Sequence, residues 1–308
     1  MRMAQEMISL DFEDAETSDV IFHPPSMTSI FLKALRISPF RANTISRTRR
    51  LKRNTILLSQ YAPDQDAIGQ YRTVCGFSNI YGDRLPISYL QTLFINLIGK
   101  YITSPFFPLH PLGLIQIFQS FAQKRPIHSR ELLDLSCTLS QLSISEKGIE
   151  SHFSLKALSE DQIVWEGMSI YFTRSKQKRK RKERKEKILN IHETILVPSD
   201  TGRRYASVSG DYNPLHLYPL LARLFGFRKT IAHGMWCLAR AVASLERAWG
   251  GQPPSRLEAF FKLPVFLPAT ITLGYERQTG IPTAEKIILF ELRDKVKMLP
   301  HLKGQMTF

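Results

Sequence analysis

The stretch SGDYNPLHLYPLLARLFGFRKTIAHGMW (Ser209–Trp236) gathers an acid, an amide, two histidines and several turn-forming residues within an otherwise apolar chain. Its first part has the pattern of a turn followed by a short helix. Asn213 is a favourable N-cap and Pro214 suits the first helical position, so a helix is predicted to begin there. Gly210 and Asp211 would form the tight turn before it. This local geometry accounts for the glycine, the amide and the proline, but not for the acid or the histidine.

An aspartate and a histidine meet at the start of this predicted helix. His216 would lie in the first turn, which places its imidazole about one helical turn from the Asp211 carboxylate. Such a pair can position and deprotonate a water when partial burial moves both pKa values toward neutrality. Exposed Asp and His residues are also common near helix caps, so the spacing leaves a purely structural role open.

The last part of the stretch predicts a buried helix that begins at Gly234. The segment that follows is apolar except for a narrow stripe at Arg240, Ser244 and Arg247. Free amides at the start of this helix would suit a developing oxyanion, whereas the alternative role of Gly234 is close packing of the helix against a sheet. An acid–base pair facing such amides is suited to chemistry next to a carbonyl group.

The composition bounds the class of protein. The 308 residues are 43% hydrophobic and 10% aromatic, enough for a sizeable core and two domains of ordinary size. Three cysteines stand far apart, without the spacing of a metal site, as is typical of a reduced cytoplasmic protein. The N-terminus lacks the order of a signal peptide, and no window reaches the ~18 apolar residues of a spanning helix. We therefore expect neither export nor a membrane span.

The net charge of +15 is unevenly distributed. Residues 174–187, RSKQKRKRKERKEK, carry +8, which leaves +7 on the rest of the chain. That remainder favours an anionic ligand without requiring a polyanion. The run lacks an apolar period and interleaved aromatics, so we interpret it as a solvated linker and consider nucleic acid unlikely as a partner by this pattern. A phosphate or acidic-partner patch and a localisation tract are the alternatives.

Four segments are predicted along the chain. Residues 1–55 show little periodicity and are interpreted as a variable N-terminal extension, so the folded part is expected to begin near Ile56. Residues 56–173 and 188–308 each place helical segments before strand-like runs, on either side of the basic linker. In the first half, helices are predicted in YLQTLFINLIGKYI and in GLIQIFQSFAQ.

A short similarity between the halves predicts an internal duplication. GDRLPIS (82–88) aligns without a gap with GDYNPLH (210–216), and HPLGLIQIFQSF (110–121) parallels AHGMWCLARAVA (232–243). On this alignment the first copy contains a loop insertion. Chance similarity of turn signals is the alternative.

The same alignment predicts a single catalytic site per chain. Leu85 and Ser88 stand where the second copy has Asn213 and His216, so the first copy keeps an acid, Asp83, but lacks the imidazole and the amide. The first half would then complete the fold. Four of its phenylalanines are expected either to enclose an acyl tail or to serve as core: Phe106, Phe107, Phe118 and Phe121.

SGDYNPLH, followed by GF and then IAHGM, resembles the hydratase signature of the MaoC-like family. That family includes (R)-specific enoyl-CoA hydratases and the dehydratase parts of some fatty-acid and polyketide synthases. The resemblance covers roughly Val197–Asp294, and the first half is similar only as a degenerate copy. It implies an α+β double hot-dog fold, in which each half is a curved antiparallel β-sheet wrapped around a central helix.

The resemblance also implies roles for individual residues. Asp211 and His216 would hold the water or abstract the proton, with Asn213 orienting the pair, and Gly234 would donate its backbone N–H to the thioester oxygen. The residues implied in substrate binding are Ser209, Gly210, His233, Met235 and Pro264.

The implied function is reversible hydration of a trans-2-enoyl thioester to the (R)-3-hydroxyacyl thioester, in fatty-acid or related lipid metabolism. No cofactor and no metal are expected, the substrate would be a thioester of coenzyme A or acyl carrier protein, and a homodimer is considered. Two alternatives are a hot-dog thioesterase and a non-catalytic acyl-thioester-binding or interaction protein.

Overall fold

Twelve strands and six α-helices make up the part of the chain that the computed structural model describes, which is residues 8–10, 12–37, 51–78, 82–175, 187–278 and 286–308. The strands are β1 (Ile8–Ser9), β2 (Phe12–Ile21), β3 (Leu51–Tyr61), β4 (Ile115–Gln123), β5 (Leu133–Ser145), β6 (Gly148–Ser159), β7 (Gln162–Arg174), β8 (Ile191–Val197), β9 (Arg256–Phe261), β10 (Ala269–Arg277), β11 (Ile287–Asp294) and β12 (Pro300–Thr307). The helices are α1 (Met27–Arg36), α2 (Gln65–Cys75), α3 (Gln91–Ile102), α4 (Thr201–Ser209), α5 (Pro219–Leu224) and α6 (Gly234–Ala248), and a 3₁₀ turn spans Pro214–His216.

The sheet contains two copies of one strand order, side by side. The first is β3-β5-β6-β7-β4 and the second is β8-β10-β11-β12-β9. Within each copy all neighbouring strands are antiparallel, and the helices follow the first strand. The copies meet where β4 pairs with β9, a seam that runs from the Phe118–Phe260 pair to the Ala122–Arg256 pair. This is the architecture expected of two hot-dog units.

One apolar core runs through both halves and encloses the helices α3 and α6. In the first half, Trp165 of β7 stacks on Phe94 of α3, with ring centroids 5.1 Å apart. The Trp165 indole N–H is satisfied by the carbonyl of Ile87 at 3.0 Å. In the second half, Trp236 of α6 donates its N–H to the carbonyl of Val74 in α2, so a partly buried hydrogen bond joins the halves.

Regular structure begins well before Ile56, so the predicted start of the folded part is wrong. β2 lies parallel to β3, which itself begins at Leu51. α1 packs on α3 through the buried side chains of Ile30 and Ala34, because Gly99 of α3 leaves room for the Ile30 methyl groups. The sequence of β2, FEDAETSDVI, has no apolar alternation, so its pattern does not predict a strand. The strand lies outside the repeated five-strand order and pairs with β3.

One predicted helix is confirmed and another is wrong. YLQTLFINLIGKYI contains α3, but GLIQIFQSFAQ contains the strand β4. Gln119, Phe121 and Gln123 alternate as buried positions along β4, and the strand pairs with β7 on one side and β9 on the other. An apolar run with both edges paired is hard to distinguish from a buried helix by periodicity alone.

The duplication is present in the fold, but its residue alignment differs from the predicted one. Gly76 caps the C-terminus of α2 and Gly210 caps that of α4, both with left-handed backbone, at φ values of 80° and 71°. The next residue is Phe77 in the first half and Asp211 in the second. A buried phenylalanine therefore occupies the place of the acid, and Asp83 is not its counterpart.

GDRLPIS corresponds to the residues before α6 and not to the Asp211 turn. Leu85 N–H donates to the Ile127 carbonyl just as Ala232 N–H donates to the Val265 carbonyl, both at 2.9 Å. The long connection consequently lies in the second copy, between Gly210 and α6, where the 3₁₀ turn and α5 are found. The predicted insertion in the first copy is wrong, because HPLGLIQIFQSF leads into a strand.

Residues 176–186, which are most of the basic run, lie outside the described residues. At its end, Lys187 forms an ion pair with Glu276 of β10 at 2.9 Å. In the part of the chain that the structure covers, no helix has the length and apolar character to cross a membrane.

Candidate active site

The turn after α4 presents the carboxylate of Asp211. Ser209 Oγ donates to the carbonyl of Tyr205 at 2.8 Å and accepts from the Asp211 N–H at 3.2 Å. The backbone N–H of Asn213 donates to Asp211 Oδ1 at 3.2 Å. The Asp211 side chain keeps 21% of its surface exposed. Backbone geometry thus fixes the carboxylate while one face of it stays open.

Asn213 caps the structure that follows, as predicted. Its side chain accepts from the Leu215 N–H at 3.5 Å, and Pro214 occupies the first position. The element is a single 3₁₀ turn and not the start of a longer helix. Pro219, which lacks an N–H, begins the separate helix α5.

His216 is held in one tautomer. Its Nδ1 lies 2.9 Å from the carbonyl oxygen of Ile231. Because a carbonyl oxygen can only accept, Nδ1 carries the proton and Nε2 keeps a free lone pair. The residues just before α6 therefore fix the tautomer of His216.

His233 connects the start of α6 to the Asp211 turn. Its Nε2 donates to the backbone carbonyl of Asp211 at 3.0 Å and lies 3.8 Å from Asp211 Oδ2. Its ring stacks on that of His216 with centroids 3.7 Å apart and planes at 26°. Only 2% of its side chain is exposed. His233, predicted to bind substrate, thus contacts both Asp211 and His216.

Burial sets the protonation of both imidazoles. It lowers the pKa of His216 well below the ordinary 6.5, the neighbouring His233 lowers this pKa further, and the Ile231 carbonyl opposes the change. Burial also lowers the pKa of His233, while the charge and the carbonyl of Asp211 oppose it. Both rings are therefore neutral at pH 7.

Gly234 begins α6 at the same place. The first N–H groups of a helix have no partner within it, and Gly234 stays partly exposed. A Cβ at this position would lie 3.0 Å from the Phe261 ring of β9. Close packing against the sheet thus favours glycine here, and the oxyanion role stays a prediction.

Not all of the other residues predicted to bind substrate lie near the Asp211 carboxylate. Ser209 and Gly210 form the Asp211 turn, whereas Met235 is buried in the core. Pro264 is half-buried in the loop after β9, next to Val265, whose carbonyl anchors the segment before α6.

Several residues at the site carry no signal in the predicted motif. Gly202 of α4 lies so close to the backbone of His216 that an added Cβ would clash with the His216 carbonyl oxygen. Asn96 of α3 lies against the Gly210 turn, at 3.5 Å from an added Cβ to its Nδ2. The periodicity of α4 could have suggested the contact of Gly202, but nothing local in the sequence links Asn96 to the second half.

The site also contains a set of groups able to ligate a metal. One ligand atom each from Asp211, His216 and His233 lies within 4.8 Å of the others, in the part of the chain that is described. Each imidazole already donates one N–H to a backbone carbonyl, so each has one nitrogen left for a ligand. The predicted independence of metal stays a prediction that chelation can test.

Comparisons with known proteins find similar sequences. The family model described as the MaoC-like domain matches residues 173–297. The 3-hydroxyacyl-thioester dehydratase X of Mycobacterium tuberculosis is 25% identical over 273 residues, which cover 87% of this chain and 94% of that protein. The (R)-specific enoyl-CoA hydratase of Aeromonas caviae is 37% identical over 78 residues, which cover 23% of this chain and 55% of that protein.

Solved structures extend the similarity to both halves. The crystal structure of HtdX of Mycobacterium tuberculosis matches with a TM-score of 0.68 at 25% identity, covering 82% of this chain and 98% of that one. A further Mycobacterium tuberculosis protein, described as having a double hotdog fold, matches with a TM-score of 0.54 at 10% identity, covering 82% and 94%. The chain therefore has a double hot-dog fold, and its residues 173–297 match the model of the MaoC-like domain.

Proposed function

We propose that this protein is a hydro-lyase that interconverts a trans-2-enoyl thioester and the (R)-3-hydroxyacyl thioester. The observation that carries the proposal is the state of His216: its Nδ1–H is bound to the Ile231 carbonyl, its Nε2 is unprotonated, and it lies beside the Asp211 carboxylate. Relatives named as a 3-hydroxyacyl-thioester dehydratase and an (R)-specific enoyl-CoA hydratase support the same reaction.

In the hydration direction, Asp211 and His216 hold one water. Its oxygen attaches to C3 while a water proton passes to His216 Nε2, and the electron pair of the double bond moves toward the thioester oxygen. C2 then takes up a proton from the acid–base pair, so that one water is added in total. A neutral imidazole is required for the first proton transfer, and burial keeps His216 in that form.

The thioester oxygen becomes negatively charged during this reaction. We propose that it lies at the N-terminus of α6, where the Gly234 N–H has no partner within the helix and the helix dipole favours negative charge. The apolar face of α6 behind it would exclude water. Asn213 acts through its backbone N–H on Asp211.

The substrate class follows from charge and chemistry. We propose a thioester of coenzyme A or of acyl carrier protein, both anionic, for a chain with +15 net charge. Near the site, the connection between Asp211 and α6 carries Arg223, Arg228 and Lys229, with no acidic residue among positions 212–233. The thioester itself acidifies C2, so the proposed reaction requires no added cofactor.

The proposed reaction predicts loss of enoyl-thioester absorbance when the full chain meets trans-2-butenoyl-CoA or trans-2-decenoyl-CoA. The matching acyl-carrier-protein thioesters are tested in parallel, and free thiol is measured in every reaction. Absorbance loss without thiol release is the expected result, and a chelator in the buffer is expected to leave the rate unchanged.

Each alternative has its own outcome in this assay. Thiol release would indicate a thioesterase, and an inactive protein that binds the thioesters would indicate an acyl-binding protein. Complete loss of turnover with the chelator, restored by a divalent cation, would contradict independence of metal. Product analysis against both 3-hydroxyacyl enantiomers checks the (R) configuration.

The pKa of His216 predicts an unusual acid limb in the pH profile of kcat/KM. Because the pKa is lowered from 6.5, His216 stays a neutral base at pH 6.5, and activity falls only as pH decreases through the lower value. Full activity is therefore expected from pH 6.5 to 8. Circular dichroism at each pH controls for unfolding, and a half-loss of kcat/KM at or above pH 6.5 would contradict the prediction.

A further inference from the structure

His233 is a buried side chain whose ring touches two other rings. It stacks on the ring of His216, with centroids 3.7 Å apart and planes at 26°. Tyr205 of α4, itself buried, packs against it at a centroid distance of 5.0 Å. Close packing of this kind leaves the His233 ring little freedom to tilt, and the same holds for the His216 ring that lies on it.

The N–H of His233 is bound to the turn that presents the acid. Its Nε2 donates to the backbone carbonyl of Asp211 at 3.0 Å. The same turn is also held by Ser209, whose Oγ donates to the Tyr205 carbonyl and accepts from the Asp211 N–H. One histidine from the start of α6 thus contacts both the main chain of Asp211 and the ring of His216.

The second ring nitrogen of His233 argues against a role in packing alone. A carbonyl oxygen can only accept, so the proton is on Nε2 and Nδ1 is an acceptor. This Nδ1 is buried and has no hydrogen-bond partner among the described residues. An unpaired buried acceptor lowers stability, and an apolar ring would fill the same space without that cost. The N–H is therefore the property of His233 that a phenylalanine would lack.

Direct binding of a substrate by His233 also fits the geometry poorly. Its Nε2 is bound to the Asp211 carbonyl, its Nδ1 is buried, and only 2% of the side chain is exposed. A residue that binds a substrate by hydrogen bonds needs an accessible polar atom. Any effect of His233 on the reaction therefore passes through its two neighbours.

We propose that His233 is a positioning residue that sets the placement of the acid relative to the base. This inference rests on the proposed function. The N–H of His233 fixes the main chain of Asp211, and its ring fixes the plane of His216, so that both groups face one water. Burial lowers the pKa of His233, so its ring stays neutral and adds no positive charge beside His216 when that imidazole takes up a proton.

Two substitutions separate the two contacts. His233→Phe keeps a flat ring against His216 but removes the N–H to the Asp211 carbonyl. His233→Gln keeps an N–H that can reach this carbonyl but removes the ring. Because a small misplacement of reacting groups lowers the rate steeply, we expect each variant to lower kcat for enoyl-thioester hydration at least tenfold. Binding of decanoyl-CoA, a thioester without the double bond, should stay within twofold of the wild type.

A double-mutant cycle separates positioning from an independent effect. If His233 acts through His216, adding His233→Phe to His216→Gln should leave kcat within twofold of that of His216→Gln alone. His110→Gln is the matched control, because His110 is a partly buried histidine of the first half whose ring nitrogens also lie against backbone groups. Its kcat should stay within twofold of the wild type.

Several outcomes would overturn the inference alone. They are wild-type kcat in a folded His233→Phe or His233→Gln variant, an equal effect of His233→Phe with and without His216→Gln, and weaker decanoyl-CoA binding that matches the loss of rate. Loss of folding in both single variants, by circular dichroism, would assign His233 to stability and also overturn it. A wild type without turnover on any of the thioesters would overturn the proposed function and the inference together.

Discussion

Asp211→Asn and His216→Gln are each expected to lower kcat for enoyl-thioester hydration by about 10²–10⁴-fold. The amide introduced by Asp211→Asn has the shape of the carboxylate and can still accept the Asn213 N–H, so the turn should hold while the negative charge is lost. His216→Gln removes the imidazole lone pair on Nε2. Because both groups act on one water, the double variant should be about as slow as the slower single variant.

Two surface residues provide matched controls for these substitutions. His192 stacks on Tyr275 away from the site, and Asp83 is an exposed acid beside His128. His192→Gln and Asp83→Asn should stay within twofold of the wild type. If Asp211→Asn and His216→Gln were folded by circular dichroism and had wild-type rates, the motif would act as a helix cap and would take no part in the reaction.

Gly202→Ala is expected to abolish most of the activity although Gly202 touches no substrate in the proposed reaction. The added Cβ would clash with the His216 carbonyl oxygen, a backbone atom that can move only with the 3₁₀ turn. That movement would displace His216 from the Ile231 carbonyl and from Asp211. We expect at least a tenfold fall in kcat/KM and about 1–3 kcal/mol lower stability.

Gly69→Ala is the control for the helix itself. Gly69 lies on an exposed face of α2, the counterpart of α4, and an added Cβ there meets nothing within 4 Å. The alanine should raise stability by about 0.4–1 kcal/mol and leave the rate unchanged. If both glycine variants retained wild-type kcat/KM, the close contact between α4 and the 3₁₀ turn would have no part in positioning His216.

The sequence predicted those parts of the fold that depend on local signals. The Asn213 cap, the buried helix after Gly234 and the strands that follow it were readable because each has its own turn chemistry or period. The strand β4 was not, since its two partners β7 and β9 lie far away in the chain. The strand β2 was not predicted for the same reason, because its pairing with β3 holds it in place.

The sequence likewise predicted one part of the candidate site and not the other. Asp211, His216 and Asn213 come from one continuous motif, and the structure brings them together. The tautomer of His216 depends on the Ile231 carbonyl, and the stacked His233 arrives with α6, so both required the fold. The sequence alignment wrongly paired Asp83 with Asp211, because it relied on a short shared motif. The backbone hydrogen bonds of Leu85 and Ala232 show which residues of the two halves are equivalent.

The β4–β9 seam has a further consequence for how the two halves can change. Between two identical chains related by a twofold axis, every substitution appears twice, so each side must keep whatever the other needs. Joining the copies in one polypeptide removes that symmetry. Phe77 can then stand where its counterpart is Asp211. Each copy is therefore free to change at positions where the other cannot.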